Sequence, residues 1–507
     1  MRTAVKIIAA LLLCLSGTLA QARVTTTTQK LISKYIGKEP LRSGIVGILA
    51  IRENGDTLAS LNKQVKLVPA SNVKLITTGL ALTRLGPEYR FLTTLAYNGE
   101  IRDSVLVGDL YIVGGGDPTT GSASSCAEPV EATFGAFRAM LEYAGIRRID
   151  GRIVADQRCF KRPAQSPAWQ YEDLGFNYGA GPEGLNFFEN AQNFVVVPST
   201  PGLPPTIRPV YPDTPWMSWT ISATTSEVRT QNTLYYINSA SGPWGEFFGA
   251  FPADRNNYKF QASNRFGPWT YAYYFYNYLE GNGIEATGGY ADISPRGFVR
   301  SDLLYSDIGD KAHPQDSLTV LGSRLSPTLA SIITDTNTES DNFYAETVFA
   351  AIGLDMRGST DREESAAAEE SLLKGMGLNP LNSCTLVDGS GLSRKNYVSA
   401  EFFVRFLRKM LAGKARRPFI DSLPIPGNKG TLKYRMKGVP EETRTRIRMK
   451  SGSMNGVRCF SGYILPAPGE DKDRTVTFSI LTNNIPGQSS TVYAILDELI
   501  LSLADEP

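Results

Sequence analysis

Ser71-Asn-Val-Lys74 lies directly before an apolar segment whose hydrophobic residues recur at near-helical spacing. The residues that carry this spacing are Val73, Ile76, Leu80 and Leu85, and Gly86-Pro87 ends the segment. The pattern predicts a helix that begins near Ser71. Ser71 and Lys74 would then lie on one face of it, one turn apart, as a nucleophile and its base require.

Two further short patterns follow far downstream, Ser340-Asp-Asn342 and Lys450-Ser-Gly452. This order is typical of serine acyl-transfer enzymes that use lysine as the general base. The chain holds a single histidine, His313, so lysine is the main remaining base for a serine nucleophile. Ser71, Lys74, Ser340, Asn342 and Lys450 are therefore the candidate catalytic residues.

Each pattern taken alone is weak. SxxK also occurs at Ser60–Lys63 and Ser371–Lys374, and roughly two such matches are expected by chance in a chain of this size. Ser340 could be a plain helix N-cap, and Lys450-Ser-Gly452 could be a strand end followed by a turn. Ser71 is favoured because it alone precedes an apolar helix, whose free N-terminal amides could also serve an oxyanion.

Lysine acts as a base only if its pKa is lowered, either by burial or by a second nearby cation. Lys450 is expected to be that cation for Lys74, and to bind a substrate carboxylate together with Ser451 and Ser453. Gly452 would let the substrate backbone approach the strand closely. The backbone amides of Ser71 and Ser453 would form the oxyanion hole. Ser340 would relay a proton to the leaving amine, and Asn342 would hold the substrate amide.

The composition is that of a globular protein. The chain has 507 residues, 42% hydrophobic and 20% charged, which predicts two or three domains. Its net charge of +2 and the lack of a long basic run disfavour nucleic acid as a partner.

Residues 1–22 are interpreted as a secretory signal peptide. Arg2 and Lys6 precede the apolar core Ile7 to Leu15, and Ala20-Gln-Ala22 offers a cleavage site. An uncleaved membrane anchor is the alternative, whereas a lipoprotein is disfavoured because Leu13 before Cys14 is not small. No later segment is apolar enough to span a membrane.

Cys126, Cys159, Cys384 and Cys459 remain after the signal peptide is removed. They could form two disulfides, with Cys126 paired to Cys159 and Cys384 to Cys459, or be buried free thiols. A zinc site is improbable because there is no CxxC and only one histidine. Neither a metal nor another cofactor is expected.

The remaining pattern predicts an α/β domain built from both ends of the chain and interrupted by a β-rich insertion. Gly44 to Ala50 resembles a buried strand, and strand-like stretches such as Ser104 to Val113 dominate residues 92–300. Helices return from Leu318 onward and are followed by three strand candidates and a final helix. The predicted strands are Thr445 to Lys450, Arg458 to Leu465 and Thr475 to Thr482, and the helix is Thr491 to Ala504.

Longer stretches carry a closer resemblance. They are Gly108-Asp-Leu-Tyr-Ile-Val-Gly-Gly-Gly-Asp-Pro118, Asp388-Gly-Ser-Gly-Leu-Ser-Arg394 and Lys450-Ser-Gly-Ser-Met-Asn-Gly-Val457, with Gly430-Thr-Leu432 and Arg435. With the three short patterns, they make nearly the whole mature chain resemble the low-molecular-mass class C penicillin-binding proteins, the D-Ala-D-Ala carboxypeptidase/endopeptidase family. Ser451 replaces the threonine often found in the third pattern but keeps the hydroxyl.

The resemblance implies a penicillin-recognising transpeptidase/β-lactamase-like catalytic domain (23–91 and 301–507) with two nested inserts. The outer insert would span 92–116 and 202–300, and the inner insert 117–201. The resemblance also implies acylation of Ser71 by the terminal D-Ala-D-Ala of peptidoglycan stem peptides and by β-lactams.

Some members of that family have a pocket for the diaminopimelate side chain of the stem peptide. Asp173, Tyr178, Arg394 and Met454 fall where the resemblance places this pocket, and a zwitterionic group needs both a carboxylate and a guanidinium. Asp173 could equally be a loop carboxylate near Trp169, and Met454 a packing residue.

The sequence therefore predicts an exported, periplasmic D-Ala-D-Ala carboxypeptidase that can also act as an endopeptidase. A β-lactamase is one alternative, although no second group that would activate deacylating water is evident. A non-catalytic cell-wall-binding protein is the other, and the complete set of candidate catalytic residues argues against it.

Overall fold

The structure is a computed structural model that describes residues 26–160, 163–239, 242–294, 296–304, 310–486 and 489–506. The predicted signal peptide, residues 1–22, lies outside these ranges. Within them, no helix combines the length and apolar character needed to cross a membrane.

Strands from the two ends of the chain form one antiparallel sheet, named here the central sheet. In the described ranges its strand order is Thr57–Leu61, Ile45–Arg52, Val476–Asn483, Val457–Ile464 and Ile447–Met454. Successive residues of a strand point to opposite faces, so Leu49 and Leu481 join one apolar cluster while Ile48 and Ile480 join another. Both faces of the sheet are therefore buried.

Helices cover the two faces. The face of Leu49 packs against the helices Val73–Arg84, Leu329–Glu339, Asn342–Arg357, Arg362–Gly375, Ala400–Ala412 and Arg416–Ser422. The opposite face packs against Thr27–Ile36 and Ser489–Ala504. A short helix, Glu441–Arg444, precedes the edge strand Ile447–Met454. This layering brings the predicted Ser71 helix against the sheet that carries Lys450.

The β-rich region contains two larger sheets. One has the order Val299–Arg300, Tyr290–Ile293, Ile153–Asp156, Leu110–Val113, Leu92–Tyr97 and Thr319–Leu325. The other has the order Glu285–Ala286, Arg148–Asp150, Val105–Val107 and Glu100–Arg102. The helices Val130–Tyr143 and Gly267–Gly281 pack on them through a core in which Phe134, Phe137, Tyr271 and Phe275 lie among aliphatic side chains.

Smaller sheets complete the fold. Thr206–Tyr211, Ala191–Val197 and Tyr258–Ser263 form one, and Ser218–Ile221, Trp244–Phe248 and Tyr235–Asn238 form another. Thr224–Ser226 pairs with Ala250–Pro252, and Cys384–Thr385, Tyr397–Ser399 and Lys66–Leu67 form a three-stranded sheet. The first three of these sheets share a core of Phe194, Phe247, Phe251 and Phe260.

The predicted fold class, α/β ends around a β-rich insertion, is confirmed, with two local differences. The stretch Ser104 to Val113 is two strands rather than one, because Gly108 has a φ of +150° and a Cβ there would lie 2.3 Å from the Asn98 carbonyl oxygen. The helix Gly267–Gly281 was missed. Its run of Trp, Tyr and Phe shows no clear polar face and favours a strand by propensity, whereas tertiary packing selects the helix.

The predicted nested domain boundaries stay a prediction. Thr319–Leu325, assigned by sequence to the catalytic domain, pairs with Leu92–Tyr97 of the predicted outer insert. Arg148–Asp150 and Ile153–Asp156, assigned to the inner insert, pair with Val105–Val107 and Leu110–Val113 of the outer one. Hydrogen-bonded sheets therefore cross the predicted boundaries.

The cysteines in the described ranges are free thiols. Cys384 and Cys459 are buried, and Cys126 and Cys159 are half-buried. Of the two possibilities that the sequence left open, the structure has free thiols rather than disulfides.

Candidate active site

Ser71 lies in a 3₁₀ turn, Ala70–Asn72, that leads directly into the helix Val73–Arg84. Lys74 is in the first turn of that helix, and its Nζ lies 3.0 Å from Ser71 Oγ. The predicted helix start and the one-turn separation are therefore present. The turn packs closely against Gly391, where an added Cβ would come within 2.0 Å of the Ala70 carbonyl oxygen.

The other contacts of Lys74 come from distant parts of the chain. Its Nζ donates to Asn342 Oδ1 at 2.6 Å and to the Ser390 carbonyl oxygen at 2.7 Å. Both oxygens can only accept hydrogen bonds. A neutral amine has two hydrogens and one lone pair, so these two contacts direct the lone pair toward Ser71 Oγ. The arrangement suits proton transfer from the serine hydroxyl to the lysine.

Ser340 and Asn342 lie where two helices meet. Ser340 ends the helix Leu329–Glu339 in the left-handed conformation, with a φ of 62°. Asp341 is the N-cap of the helix Asn342–Arg357 and accepts from the Tyr344 amide at 2.7 Å. Because Asp341 caps the helix, the side chain of Ser340 is available for the cleft.

Lys450 lies on the edge strand of the central sheet and is fully buried. Its Nζ lies 2.8 Å from Ser340 Oγ and 2.8 Å from the Ser451 carbonyl oxygen. Hydrogen bonds thus connect Lys450 to Ser340, and Lys74 to Ser71 and Asn342. The fold brings all five predicted catalytic residues to one place.

Burial is the main influence on both lysines. It lowers the pKa of Lys74 to about 8, while the charges of Asp341, Asp388 and Glu346 act in the opposite direction. Burial also lowers the pKa of Lys450 well below its usual value, and the positive charge of Lys74 is the second cause. Desolvation is therefore the main cause of the lowered pKa of Lys74.

A cavity of about 380 Å³ opens onto Ser71 and Ser340. Its lining includes Ser71, Ser340, Thr431, Arg435, Ser451, Ser453 and Tyr493. Ser451 Oγ lies 2.9 Å from Thr431 Oγ1, and the Tyr493 hydroxyl lies 3.4 Å from Ser453 Oγ. The cavity is large enough for a small polar ligand beside the nucleophile.

The structure shows a close approach at Gly452 that differs from the one predicted, because the neighbour is the Ser71 turn. A Cβ at this position would lie 2.6 Å from the Pro69 carbonyl oxygen and 3.1 Å from the Asn72 amide nitrogen. The missing side chain therefore makes room for the Ser71 turn. The expected close approach of substrate backbone to this strand stays a proposal.

A buried loop that contains Asp388 and Ser390 packs against Lys74. The backbone amides of Gly389 and Ser390 donate to Glu346 Oε1 at 3.0 and 2.9 Å. The carboxylate of Asp388 accepts from the Gly391 and Ser393 amides at 2.9 and 2.7 Å. These bonds hold the carbonyl group of Ser390 in place against Lys74. Burial, followed by the charge of Glu346, raises the pKa of Asp388 to about 6.

Asp173 and Tyr178 lie beside Asn342 on a partly exposed loop, in a region that we call the mouth of the cleft. The Tyr178 hydroxyl donates to Asp173 Oδ1 at 3.2 Å, and the Tyr178 carbonyl oxygen accepts from Asn342 Nδ2 at 2.9 Å. Burial raises the pKa of Asp173, while the hydrogen bond from Tyr178 and the charge of Arg394 act in the opposite direction. The loop that carries both residues is thus attached directly to Asn342.

Arg394 and Met454 lie near the same mouth. Arg394 Nε donates to Gln170 Oε1 at 3.0 Å, and its Nη2 donates to the Asn455 carbonyl oxygen at 2.9 Å. Met454 is half-buried and packs against the main apolar cluster. Met454 therefore has the packing contacts that the sequence left as an alternative, while Arg394 and Asp173 are close enough to interact electrostatically.

The two other SxxK pairs lie in different surroundings. Lys63 forms an ion pair with Glu401 at 2.8 Å, and Lys374 forms one with Glu370 at 2.7 Å. Ser371 donates to the Ala367 carbonyl oxygen of its own helix. Each of these lysines is paired with a carboxylate, so neither is positioned to accept a proton from the serine of its own pattern.

Sequence reasoning missed Glu346, Ser390 and Tyr493. Glu346 is four residues after Asn342 on one helix, so the i, i+4 spacing was a usable signal. Ser390 acts through its backbone carbonyl group, which no side-chain pattern reports. Among the described residues no group of three or more His, Cys, Asp and Glu is arranged to hold a metal ion.

Comparison with known proteins gives curated relatives that match most of the chain. A D-alanyl-D-alanine carboxypeptidase from Actinomadura is 27% identical over 96% of this chain and 85% of its own length. A penicillin-sensitive carboxypeptidase A from Dictyostelium discoideum is 24% identical over 91% and 86%, respectively. The D-alanyl-D-alanine carboxypeptidase DacB of Haemophilus influenzae is 23% identical over 89% and 87%.

The fold has a solved counterpart. The crystal structure of penicillin binding protein 4 from Haemophilus influenzae superposes with a TM-score of 0.75 at 21% identity, covering 94% of this chain and 98% of that one. A complex of the same protein with a β-lactam gives a TM-score of 0.71. The sequence also matches the D-Ala-D-Ala carboxypeptidase 3 (S13) family over residues 28–294 and 301–500. This match spans most of the chain, which therefore belongs to that family and is a serine peptidase.

Proposed function

We propose that the chain hydrolyses the terminal D-Ala-D-Ala bond of peptidoglycan stem peptides through an acyl-enzyme on Ser71. The observation that carries this proposal is the geometry of Lys74. Its two hydrogen-bond acceptors, Asn342 Oδ1 and the Ser390 carbonyl oxygen, leave the lone pair of the neutral amine for the Ser71 hydroxyl at 3.0 Å. His313, the only histidine of the chain, is exposed and does not line the cleft.

In the first step Ser71 Oγ attacks the carbonyl carbon of the scissile amide while Lys74 takes the hydroxyl proton. The oxyanion that forms would be stabilised by the backbone amides of Ser71 and Ser453. Ser453 lies on the edge strand of the central sheet, and an edge strand has backbone groups that are not paired within the sheet.

In the second step the C–N bond breaks, and the proton that Lys74 took from Ser71 passes through Ser340, which contacts Lys450, to the departing amine of D-alanine. Lys74 is then neutral again. Water then attacks the ester carbonyl carbon while Lys74 accepts a proton from it. The ester C–O bond breaks, the proton returns from Lys74 to Ser71 Oγ, and the shortened stem peptide leaves. Asn342 Nδ2 uses one hydrogen for the Tyr178 carbonyl oxygen, so its second hydrogen can hold the substrate amide.

The free carboxylate of the terminal D-alanine would be bound by the hydroxyls of Ser451 and Ser453. Both line the cavity that contains Ser71, and Lys450 lies on the same strand. A β-lactam carries a carboxylate near its reactive amide, and its leaving nitrogen stays tethered after ring opening. Penicillin should therefore acylate Ser71, and the resulting ester should be hydrolysed slowly.

Asp173, Tyr178 and Arg394 are proposed to recognise the end of the stem-peptide side chain, with Met454 as an apolar wall. The combination of a carboxylate and a guanidinium at one mouth suits a zwitterionic group such as diaminopimelate. The same acylation would permit cleavage of cross-links as an endopeptidase. Export to the periplasm, where such a substrate lies, is part of the proposal and can be checked by cell fractionation.

The test is incubation of the purified protein with fluorescent penicillin, followed by mass spectrometry of peptides. We expect a covalent adduct on Ser71 that is lost in Ser71→Ala and strongly slowed in Lys74→Ala. An adduct on Ser60 or Ser371, or acylation that survives in Ser71→Ala, would contradict the assignment. Release of D-alanine from a soluble pentapeptide separates a carboxypeptidase from a protein that only binds penicillin.

A further inference from the structure

A second cavity, with a volume of about 650 Å³, lies in the β-rich region. We call it the insert groove. One wall is the loop Tyr171–Gly175, and the other is the sheet formed by Ser218–Ile221, Trp244–Phe248 and Tyr235–Asn238. Its lining mixes aromatic rings with polar side chains and is therefore not a simple apolar surface.

Aromatic residues on opposite walls are open to solvent. Tyr171 is 67% exposed and Trp244 is 45% exposed, and both line the groove. Single exposed hydrophobic residues are common on protein surfaces, whereas several that converge on one cavity usually mark a binding site. Aromatic faces of this kind suit a ligand that has flat apolar faces of its own.

Arg265 supplies an unused polar group in the same groove. Burial lowers the pKa of its guanidinium, and the charge of Glu183 acts in the opposite direction. Among the described residues it has neither a hydrogen bond nor an ion pair, although it lines the cavity. Arg265 is half-buried and lines the groove, so its guanidinium can donate to a ligand acceptor without giving up a hydrogen bond within the chain. Asn238 and Glu246 add further polar groups to the lining.

The groove and the catalytic cleft share one loop. Tyr171, Leu174 and Gly175 line the groove, and further along the same loop the Tyr178 carbonyl oxygen accepts a hydrogen bond from Asn342, a candidate catalytic residue. The loop is fixed to the neighbouring strands, because the Ser263 amide donates to the Gly175 carbonyl oxygen at 2.9 Å. A ligand in the groove is therefore held at a constant position relative to a peptide in the cleft.

We propose that the insert groove binds the glycan strand of peptidoglycan, with sugar rings stacked on Trp244 and Tyr171. A pyranose ring presents an apolar C–H face to an aromatic ring, while its hydroxyl and acetamido groups need the donors and acceptors that Arg265, Asn238 and Glu246 provide. This choice of polymer rests on the proposed function, since a stem peptide in the cleft is covalently attached to a glycan. Binding both parts raises the effective concentration of each for its own site.

The experiment uses the full chain and a peptide-free oligosaccharide of alternating N-acetylglucosamine and N-acetylmuramic acid. Isothermal titration calorimetry should show saturable binding, and Trp244→Ala should weaken it at least about tenfold, as expected for the loss of a buried stacking contact. Tyr171→Ala, on the opposite wall, should weaken it independently. Tyr143→Ala is the matched control, because Tyr143 is 97% exposed and does not line the groove.

The same variants are then assayed on intact sacculi and on a soluble pentapeptide. We expect Trp244→Ala and Tyr171→Ala to slow release of D-alanine from sacculi by about tenfold or more through lost avidity. The free pentapeptide should be turned over at the rate of the Tyr143→Ala control. No saturable glycan binding by the unmodified protein, or unchanged binding in both groove variants, would overturn the inference. Failure of penicillin to acylate Ser71 would instead overturn the proposed function, whatever the groove binds.

Discussion

The floor and the mouth of the catalytic cleft are built in different ways. The floor consists of Lys74, Lys450, Glu346, Asp388 and Ser390, which are all completely buried. The mouth consists of Asp173, Tyr178 and Arg394, which are at least partly exposed and are held by only a few side-chain hydrogen bonds. The floor cannot move without breaking several buried hydrogen bonds, whereas the mouth can adjust to a ligand.

This difference indicates a division of labour. A buried amine has its pKa set by desolvation and keeps its orientation, as acid–base chemistry requires. Exposed charges are screened by water and contribute little each, but they can discriminate between substrates. Substitutions in the floor should therefore reduce the rate of acylation, and substitutions in the mouth should change substrate preference.

The largest effect is expected from Ser71→Ala. Loss of the nucleophile should lower turnover of a D-Ala-D-Ala pentapeptide by about 10³-fold or more and abolish the penicillin adduct. Ser60→Ala is the matched control, because Ser60 belongs to an SxxK pair whose lysine is bound by Glu401. Equal loss in both variants would contradict the assignment of Ser71 as the nucleophile.

Lys74→Ala should lower the acylation rate by about 10²–10⁴-fold, the range expected for a positioned general base. The adduct should still form on Ser71, but slowly, and stopped-flow measurement with fluorescent penicillin gives the rate. Lys63→Ala, at the other SxxK pair, is expected to leave that rate unchanged. A Lys74→Ala variant that acylates at the normal rate would assign the base to another residue.

The acylation rate should depend on pH through Lys74. Burial lowers the pKa of Lys74 to about 8, so the amine becomes the neutral base as the pH rises through that value. Below it, the rate should fall about tenfold for each pH unit, and above it the rate should level off. A rate that stays constant between pH 6 and pH 9 would contradict lysine as the base.

Substitution of Glu346 tests whether the buried hydrogen bonds of the floor contribute to stability and to the pKa of Lys74. Glu346→Ala leaves the Gly389 and Ser390 amides without their acceptor, at a cost of about 1–3 kcal/mol in the free energy of unfolding for each. Urea unfolding measures this loss. Glu346→Gln keeps an acceptor but removes a charge that raises the pKa of Lys74. Its pH–rate profile should shift toward lower pH, a result that a purely structural role would not produce.

The smallest effect is expected at the mouth. Arg394→Ala should change the acylation rate with penicillin little, and should raise KM at most about fivefold for a stem peptide that ends in a zwitterionic side chain. The control substrate is the same peptide with an uncharged side chain, for which KM should stay constant. Equal changes for both peptides would remove Arg394 from side-chain recognition.

Local patterns were sufficient for much of the fold. The Ser71 helix, the return of helices after Leu318 and the three late strands follow from hydrophobic periodicity, and the strands lie close to their predicted bounds. The helix Gly267–Gly281 was missed because its aromatic residues have no clear periodicity and their burial depends on the neighbouring sheets. The pairing of Thr319–Leu325 with Leu92–Tyr97 could not be predicted either, since no local signal reports a partner more than two hundred residues away.

The sequence by itself determined the chemical groups of this protein. A serine at a helix start, a lysine one turn later, two later polar patterns and a single histidine were enough to predict lysine-assisted acyl transfer. Only the tertiary structure decided how those groups are tuned. The pKa of Lys74, the direction of its lone pair and the space that Gly452 leaves for the Ser71 turn depend on segments near 72, 342, 390 and 452. Desolvation and hydrogen-bond direction arise from atoms close in space, and residues so far apart along the chain become neighbours only when it folds.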